Sequence, residues 1–256
     1  MGAYEFLEVE QSEHLATVTL NRPPLNVLHI PMLRELNDVL ESLLGHPALA
    51  ALVLRGRGKA FSAGVDIADH TPERVRDMIR LFHGLFRKLA VTDALTIAVV
   101  QGAALGGGCE LAAFCDIVLA SDAARFGTPE VQVGAFPPVA ACILPRQIGI
   151  RKTVELTALG PVLSAQEALR IGLVNQLYPA DAFPERVEEY LGTVRKLSCP
   201  VVRLAKRATT MHTRQRFLGQ LEQVEHLYLD QLMRLADARE GTVAFMEKRP
   251  PNWKHA

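Results

Sequence analysis

Neither sign of charge is in surplus in this chain. Its 256 residues carry 28 Lys and Arg against 28 Asp and Glu, a formal net charge of zero. No global field is set up to draw in a phosphate backbone, which argues against dedicated nucleic-acid binding. Near-neutrality instead favours association between copies. No apolar run reaches the roughly 18 residues needed to span a bilayer. A basic leader is missing too: Met1 to Glu10 carries Glu5, Glu8 and Glu10 and reads as mature protein without a signal or transit peptide. Cysteine is scarce. Cys109, Cys115, Cys142 and Cys199 form no C-x-x-C pair and read as reduced, buried small hydrophobes, so a cytoplasmic enzyme is expected.

Familiar cofactor and nucleophile motifs are absent as well. Gly56-Arg57-Gly58-Lys59-Ala60 has the glycine and lysine of a phosphate loop. However, Val53 stands where the first glycine belongs, and Ala60 replaces Ser or Thr. Gly106-Gly107-Gly108 is not G-x-G-x-x-G, and Ser62 sits in Phe61-Ser62-Ala63-Gly64 rather than in G-x-S-x-G. His70, His83, His212 and His226 have no ligand spacing, so no metal site is expected.

What is present is an α/β pattern. Hydrophobic residues make up 49% of the chain, enough for a sizeable core in one large domain, or in one domain with a small appendage. Leu15–Leu20 reads as a strand stopped by Asn21-Arg22-Pro23-Pro24. Met32, Leu33, Leu36, Val39, Leu40 and Leu43 recur at helical spacing up to Gly45. A strand over 51–54, a helix opened by Pro72 and running through Phe86, and a strand over 95–100 follow. A buried helix over 109–114 and a strand over 116–120 complete the alternation expected of βαβ units. Beyond Arg151 helices dominate, with one strand expected over 173–177. The apolar residues Leu218, Leu221, Val224, Leu227, Leu232 and Leu235 predict a long amphipathic helix near the C-terminus.

Two acids stand out. The glycine triplet opens a helix, where free backbone N–H groups and the positive end of the helix dipole suit an oxyanion. Glu110 lies in that first turn among Cys109, Leu111, Ala112 and Ala113. A dipole-compensating cap fits that position, and so does a buried carboxyl with a displaced pKa. Glu130, in Phe126-Gly127-Thr128-Pro129-Glu130, sits on a loop stiffened by proline, a setting that taken alone more often holds a surface acid. Turn and cap roles are expected for Asp66 and Asp69, and solvated surface roles for Arg146 and Arg151.

Taken together, these segments resemble the crotonase (enoyl-CoA hydratase/isomerase) family nearly end to end. Gly58 to Ile67 is similar to its first oxyanion loop, and Ala104 to Ala112 to its second. Phe126 to Glu130 is similar to the loop bearing a second acid, and Phe245 to Arg249 to the C-terminal signature. The resemblance implies an α/β fold of repeated ββα units over residues 1–197, with residues 198–256 as a helical region for trimerisation, in trimers or dimers of trimers. It implies Glu110 and Glu130 as the catalytic acids and the N–H groups of Ala63 and Gly107 as the oxyanion hole. Ala60, Ser62, Asp66, Ile67, Leu105, Phe136, Pro137 and Lys248 would contact the substrate or its coenzyme A. No separate cofactor is implied, because coenzyme A is part of the substrate.

The chemistry needs these parts. Hydrating a C=C conjugated to a thioester builds negative charge on the carbonyl oxygen, and each preorganised donor there contributes about 3–4 kcal/mol. One group must take a proton from water while another gives one to carbon. Where short-chain hydratases carry a glycine-rich stretch after the second acid, this chain has Phe136-Pro137-Pro138-Val139, a stiffer and bulkier wall. That stretch, with Pro24 to Leu28, resembles the cyclohexa-1,5-diene-1-carbonyl-CoA hydratases of anaerobic aromatic degradation. A general short-chain enoyl-CoA hydratase and a Δ-enoyl-CoA isomerase are the alternatives. An RNA-binding relative would need a basic helix, whereas Arg214, Arg216 and Arg234 alternate with Glu222, Glu225, Asp230 and Asp237.

Overall fold

The computed structural model describes residues 4–256, so Met1 to Ala3 at the start of the acidic N-terminus lie outside the described residues. A six-stranded sheet forms the floor of the molecule. It takes β1 (Leu7–Ser12), β2 (Leu15–Leu20), β3 (Ala51–Gly56), β4 (Leu95–Val100), β6 (Ile117–Ser121) and β9 (Gln176–Tyr178), in that order. Only the β1–β2 pair is antiparallel. A smaller sheet holds β5 (Ala103–Leu105), β7 (Arg125–Gly127) and β8 (Val162–Ser164).

The repeat is visible in how the chain alternates between the two sheets. β4 is followed by β5 and then by helix α3 (Gly107–Phe114). β6 is followed by β7 and then, after a 3-10 turn over Pro129–Val133, by α4 (Pro138–Gln147). β3 begins a similar unit, with Ser62 bridged to Ala104 in place of a full second strand. β3 and β4 are buried on both faces, which explains their near-continuous apolar sequences.

Helix α1 (Ile30–Leu44) buries Met32, Leu33, Leu36, Val39, Leu40 and Leu43, the residues whose spacing predicts it. Each such side chain contributes about 1.5–3 kcal/mol on burial. His29 provides no side-chain cap. Instead the buried carboxylate of Asp69 accepts the Ile30 N–H at 2.8 Å and pairs with Arg74 at 2.6 Å. A distant loop thus satisfies an orphan donor at the start of α1 and ties it to α2 (Val75–Val91). The capping role expected of Asp69 holds, though for a helix far away in sequence.

Several elements differ from the strands and helices located in the sequence, the short strands β5, β7 and β8 among them. The strand β1 has no counterpart in the sequence reading: Glu8 and Glu10 hide its alternation, although Glu8 is held by Asn21 and Arg57. Regular α2 begins at Val75, and Pro72 opens the turn ahead of it, where the Thr71 carbonyl accepts the N–H groups of Arg74 and Val75. Leu173 and Val174 are not strand. Their N–H groups both close on the carbonyl of Ala168, ending α6 (Ala165–Arg170), and β9 starts only at Gln176. The C-terminal helix is not continuous either. After α5 (Ile150–Leu159) and α7 (Phe183–Arg195), α8 runs over Cys199–His226 and passes into a π turn, Leu227–Gln231, and a 3-10 turn, Leu232–Arg234. Leu235 is extended, and α9 follows over Ala236–Met246. The apolar repeat breaks accordingly, because Leu227 and Leu235 both face solvent. The helical region packs back on the core, with α8 across α2 and α4. No helix among the described residues is long and apolar enough to cross a membrane.

Candidate active site

The first glycine loop is clamped from two sides. Phe61 and Ser62 donate to the Ala103 carbonyl at 3.0 and 3.1 Å, and Leu105 donates back to Ser62 at 2.9 Å. On the other side Leu28 donates to Gly64 at 2.8 Å, and Asp66 donates to Leu28 at 3.0 Å. Gly64 has φ +102°, and a Cβ there would lie 2.9 Å from the Leu105 carbonyl and 3.1 Å from the Gly107 nitrogen. Only glycine allows the loop to come this close to the start of α3.

This clamp decides which N–H groups are free. The Ala63 N–H, expected as an oxyanion donor, is spent on the Leu25 carbonyl at 2.9 Å. Residue 65 is the one bridged to Leu28 in a parallel ladder. The ladder bonds are carried by its neighbours Gly64 and Asp66, which turns the N–H of Val65 the opposite way. Among the described residues it has no acceptor. The Gly107 N–H, first in α3, is likewise unpaired, as the start of a helix requires. Val65 and Gly107 both line a cavity of about 720 Å³. The free N–H groups at this cavity are therefore those of Val65 and Gly107. The residue two places beyond the expected one was missed because strand alternation, invisible in a glycine loop, sets the direction of each N–H.

Both acids reach this cavity. Glu110 is 2% exposed, and its Oε1 accepts the Ala140 N–H in the first turn of α4 at 2.8 Å. Burial pushes its carboxyl up to about 7, with the N–H groups of Ala140 and Val139 pulling the other way. Glu130 stands on the 3-10 turn led by Pro129, the stiff mounting anticipated from the proline. A Cβ on Gly106 would meet its Oε1 at 3.0 Å, so its carboxyl lies against the entry to α3. Its Oε2 is buried without a hydrogen-bond partner. Burial, reinforced by the charge of Glu110, holds Glu130 well above the usual carboxylate range. The two titrate as a pair. Glu110, with backbone donors, is the better home for the negative charge, and Glu130, with a bare oxygen, for the proton.

The remaining expected residues divide. Asp66, Ile67 and Phe136 line the cavity. Asp66 also caps the 3-10 turn over Ile67–Asp69 and pairs with Arg22 at 3.4 Å. Ala60, Ser62, Leu105, Pro137 and Lys248 are not among its walls. The Ala60 carbonyl accepts from the side chains of Asn26 and Gln101. The Ser62 hydroxyl donates to the Asn26 carbonyl at 2.8 Å and accepts the Gly64 N–H at 3.1 Å, so it braces the loop. Leu105 supplies a clamp bond, and Pro137 precedes α4. Lys248 is exposed just past α9, three residues beyond Phe245, which does reach the cavity. Arg146 meets Gln220 away from this site. Met78, Ile79, Phe82, His70 and Tyr228 are further walls that no local pattern announces, since helix periodicity marks a buried face without distinguishing core from cavity.

An apolar cavity with two free N–H groups and two buried carboxyls on its wall suits an enzyme that steadies an enolate-like oxyanion and moves protons on either side of it. Comparison with known proteins agrees. The family model for enoyl-CoA hydratase/isomerase matches residues 10–256. A probable enoyl-CoA hydratase of Mycobacterium tuberculosis is 35% identical over 258 residues, covering 98% of this chain and 99% of its own. The cyclohexa-1,5-dienecarbonyl-CoA hydratase of Thauera aromatica is 34% identical over 249 residues, covering 96% of this chain and 95% of its own. The crystal structure of an enoyl-CoA hydratase from Mycobacterium avium subsp. paratuberculosis superposes with a TM-score of 0.90 at 29% identity, covering 98% of this chain and 100% of that one. The chain belongs to the enoyl-CoA hydratase/isomerase family, with the crotonase-type α/β fold. It is a hydro-lyase acting on enoyl-CoA thioesters.

Proposed function

We propose that the acyl group hydrated here is a cyclic dienoyl thioester, cyclohexa-1,5-diene-1-carbonyl-CoA, in the degradation of aromatic compounds. The wall after the second acid carries this reading. Phe136 and Pro138 line the cavity, Val139 is fully buried behind them, and the Phe136 ring meets Tyr228 edge-on with centroids 5.1 Å apart. A proline-stiffened aromatic wall favours a compact ring over a long flexible chain, because Pro137 and Pro138 fix the backbone behind Phe136 and its ring is packed on Tyr228. The likeness to the Thauera aromatica hydratase supports the same substrate. A general short-chain hydratase is the rival, supported by the equally similar Mycobacterium tuberculosis protein.

In the mechanism we infer, the thioester oxygen receives the Val65 and Gly107 N–H groups. Glu110 takes a proton from the attacking water, and Glu130 gives one to carbon. Coenzyme A enters with the substrate and no other cofactor takes part. Lys248, beyond the cavity rim, meets its phosphates. We also propose that the chain works as a trimer or dimer of trimers in the cytoplasm, with residues 198–256 contributing to the interface. The exposed apolar residues Val201 and Leu204 on α8, and Ile150, Val154 and Leu159 on α5, support burial against another copy.

The deciding experiment offers purified enzyme cyclohexa-1,5-diene-1-carbonyl-CoA and crotonyl-CoA and follows hydration by mass spectrometry. Preferential hydration of the cyclic diene, lost in Glu110→Gln and in Glu130→Gln, is expected. Clearly faster turnover of crotonyl-CoA would overturn the cyclic substrate and leave a short-chain hydratase.

A further inference from the structure

Hydration by two carboxyls and two N–H groups leaves Tyr228 unassigned. This residue sits in the π turn Leu227–Gln231, where α8 gives way to a widened helical turn. Such turns are rare and recur at functional sites. Here the turn delivers a ring that is 2% exposed and lines the same cavity as Glu110 and Glu130. Its edge-on contact with Phe136 sets it beside the start of α4, where Ala140 holds Glu110. Among the described residues no group hydrogen-bonds its hydroxyl. Phenylalanine would fill the same space without bringing a polar atom into an apolar wall, whereas the Tyr228 oxygen is not among the fully enclosed unpartnered atoms and so opens onto the cavity. Burial, with the charges of Glu130 and Glu110 adding to it, holds the phenol above the usual tyrosine range, so it remains a donor.

We propose that the Tyr228 hydroxyl donates a hydrogen bond to the oxygen that is added to the acyl group, first as the attacking water and then as the product hydroxyl. A water so held has one lone pair on Tyr228, one proton on Glu110 and its other lone pair free for carbon. For a simple enoyl thioester the new C–O bond forms at the β-carbon as the water proton passes to Glu110. The C=C electrons move onto the thioester oxygen, and the α-carbon then takes the proton of Glu130. Tyr228 transfers no proton; it fixes the direction of attack. The inference rests on the hydratase activity and not on which acyl group is natural.

Tyr228→Phe tests it, because the ring and its contact with Phe136 remain. Hydration is measured on crotonyl-CoA and on the cyclic dienoyl-CoA. The KM for the hydroxyacyl-CoA is measured in the dehydration direction, and the inhibition constant of the saturated acyl-CoA alongside it. The expected result is a kcat lower by roughly tenfold or more, with the KM of the enoyl thioester within about twofold of native. Affinity for the hydroxyacyl-CoA should fall while that for the saturated acyl-CoA, which lacks the hydroxyl, does not. A variant with native kcat, or one that weakens all three thioesters alike, would make Tyr228 a packing residue and overturn the proposal. Failure of the native enzyme on both substrates would overturn the hydratase reading itself, and that result is visible before any variant is made.

Discussion

Replacing Glu110 with Gln should make the protein more stable as it makes it inactive, and the gain should depend on pH. Glu110 is almost fully buried, and burial lifts its carboxyl from the ordinary 4.5 to about 7. The folded chain therefore holds this proton more tightly than the unfolded chain does. A group raised in this way contributes its full stability below pH 4.5 and loses it as pH rises through about 7. At 1.36 kcal/mol per pH unit, the loss amounts to about 3 kcal/mol. A Gln at position 110 does not ionise, and its carbonyl can still accept the Ala140 N–H now held at 2.8 Å. Native and variant should thus melt together near pH 4.5. By pH 8 the variant should melt higher, by roughly 6–12 °C for a chain of this size. Thermal melts from pH 4.5 to 8.5 at one fixed protein concentration would measure this, with turnover recorded in parallel. A melting difference that stays flat with pH, or a native enzyme more stable at pH 8, would refute the idea that a buried charge is maintained at Glu110 for catalysis.

Four further outcomes are expected. The kcat/KM of native enzyme should fall as pH drops through about 7, where Glu110 takes up its proton, and a rate profile flat from pH 6 to 8 would contradict the assignment of Glu110 as base. Glu130→Gln should lower kcat by about 10²–10⁴ while leaving KM nearly unchanged, since the amide has no proton to give to carbon; a rise in KM without loss of kcat would place Glu130 in binding instead. Gly64→Ala forces a side chain to φ +102° and against Leu105 and Gly107, so it should cost about 1–3 kcal/mol in a denaturant melt and displace the Val65 donor, with kcat down by about 10²–10³. Asp69→Ala strips the Ile30 N–H of its acceptor and Arg74 of its partner; the denaturation midpoint should shift by about 1–3 kcal/mol while kcat stays within about twofold, because Asp69 secures α1 and not the reacting groups.

Much of this protein was legible in its residues, because the signals involved are local. Helical spacing from Met32 to Leu43 defined α1, and β-branched runs bounded by turn residues located β2, β3 and β4. The glycine triplet ahead of Glu110 and the proline ahead of Glu130 marked both acids, since such backbone constraints are written in the adjacent residues. The wall at Phe136-Pro137-Pro138-Val139 was readable for the same reason.

What the sequence could not decide depends on contacts between distant segments. Which N–H of the first loop is free follows from the ladder between Leu28 and Val65 and the bond from Ala63 to Leu25, neither of which has a local signature. The different surroundings of Glu110 and Glu130 follow from α4 arriving to place the Ala140 N–H against one carboxyl, while Oε2 of the other is left without a partner. The break in the C-terminal helix belongs to the same class, because Tyr228 turns toward the cavity only once α8 has docked on α2 and α4. Sequence set the types of chemical group and the stiffness of their mountings through local sterics. Tertiary structure alone set which of those groups were left without partners, and those are the groups available for chemistry.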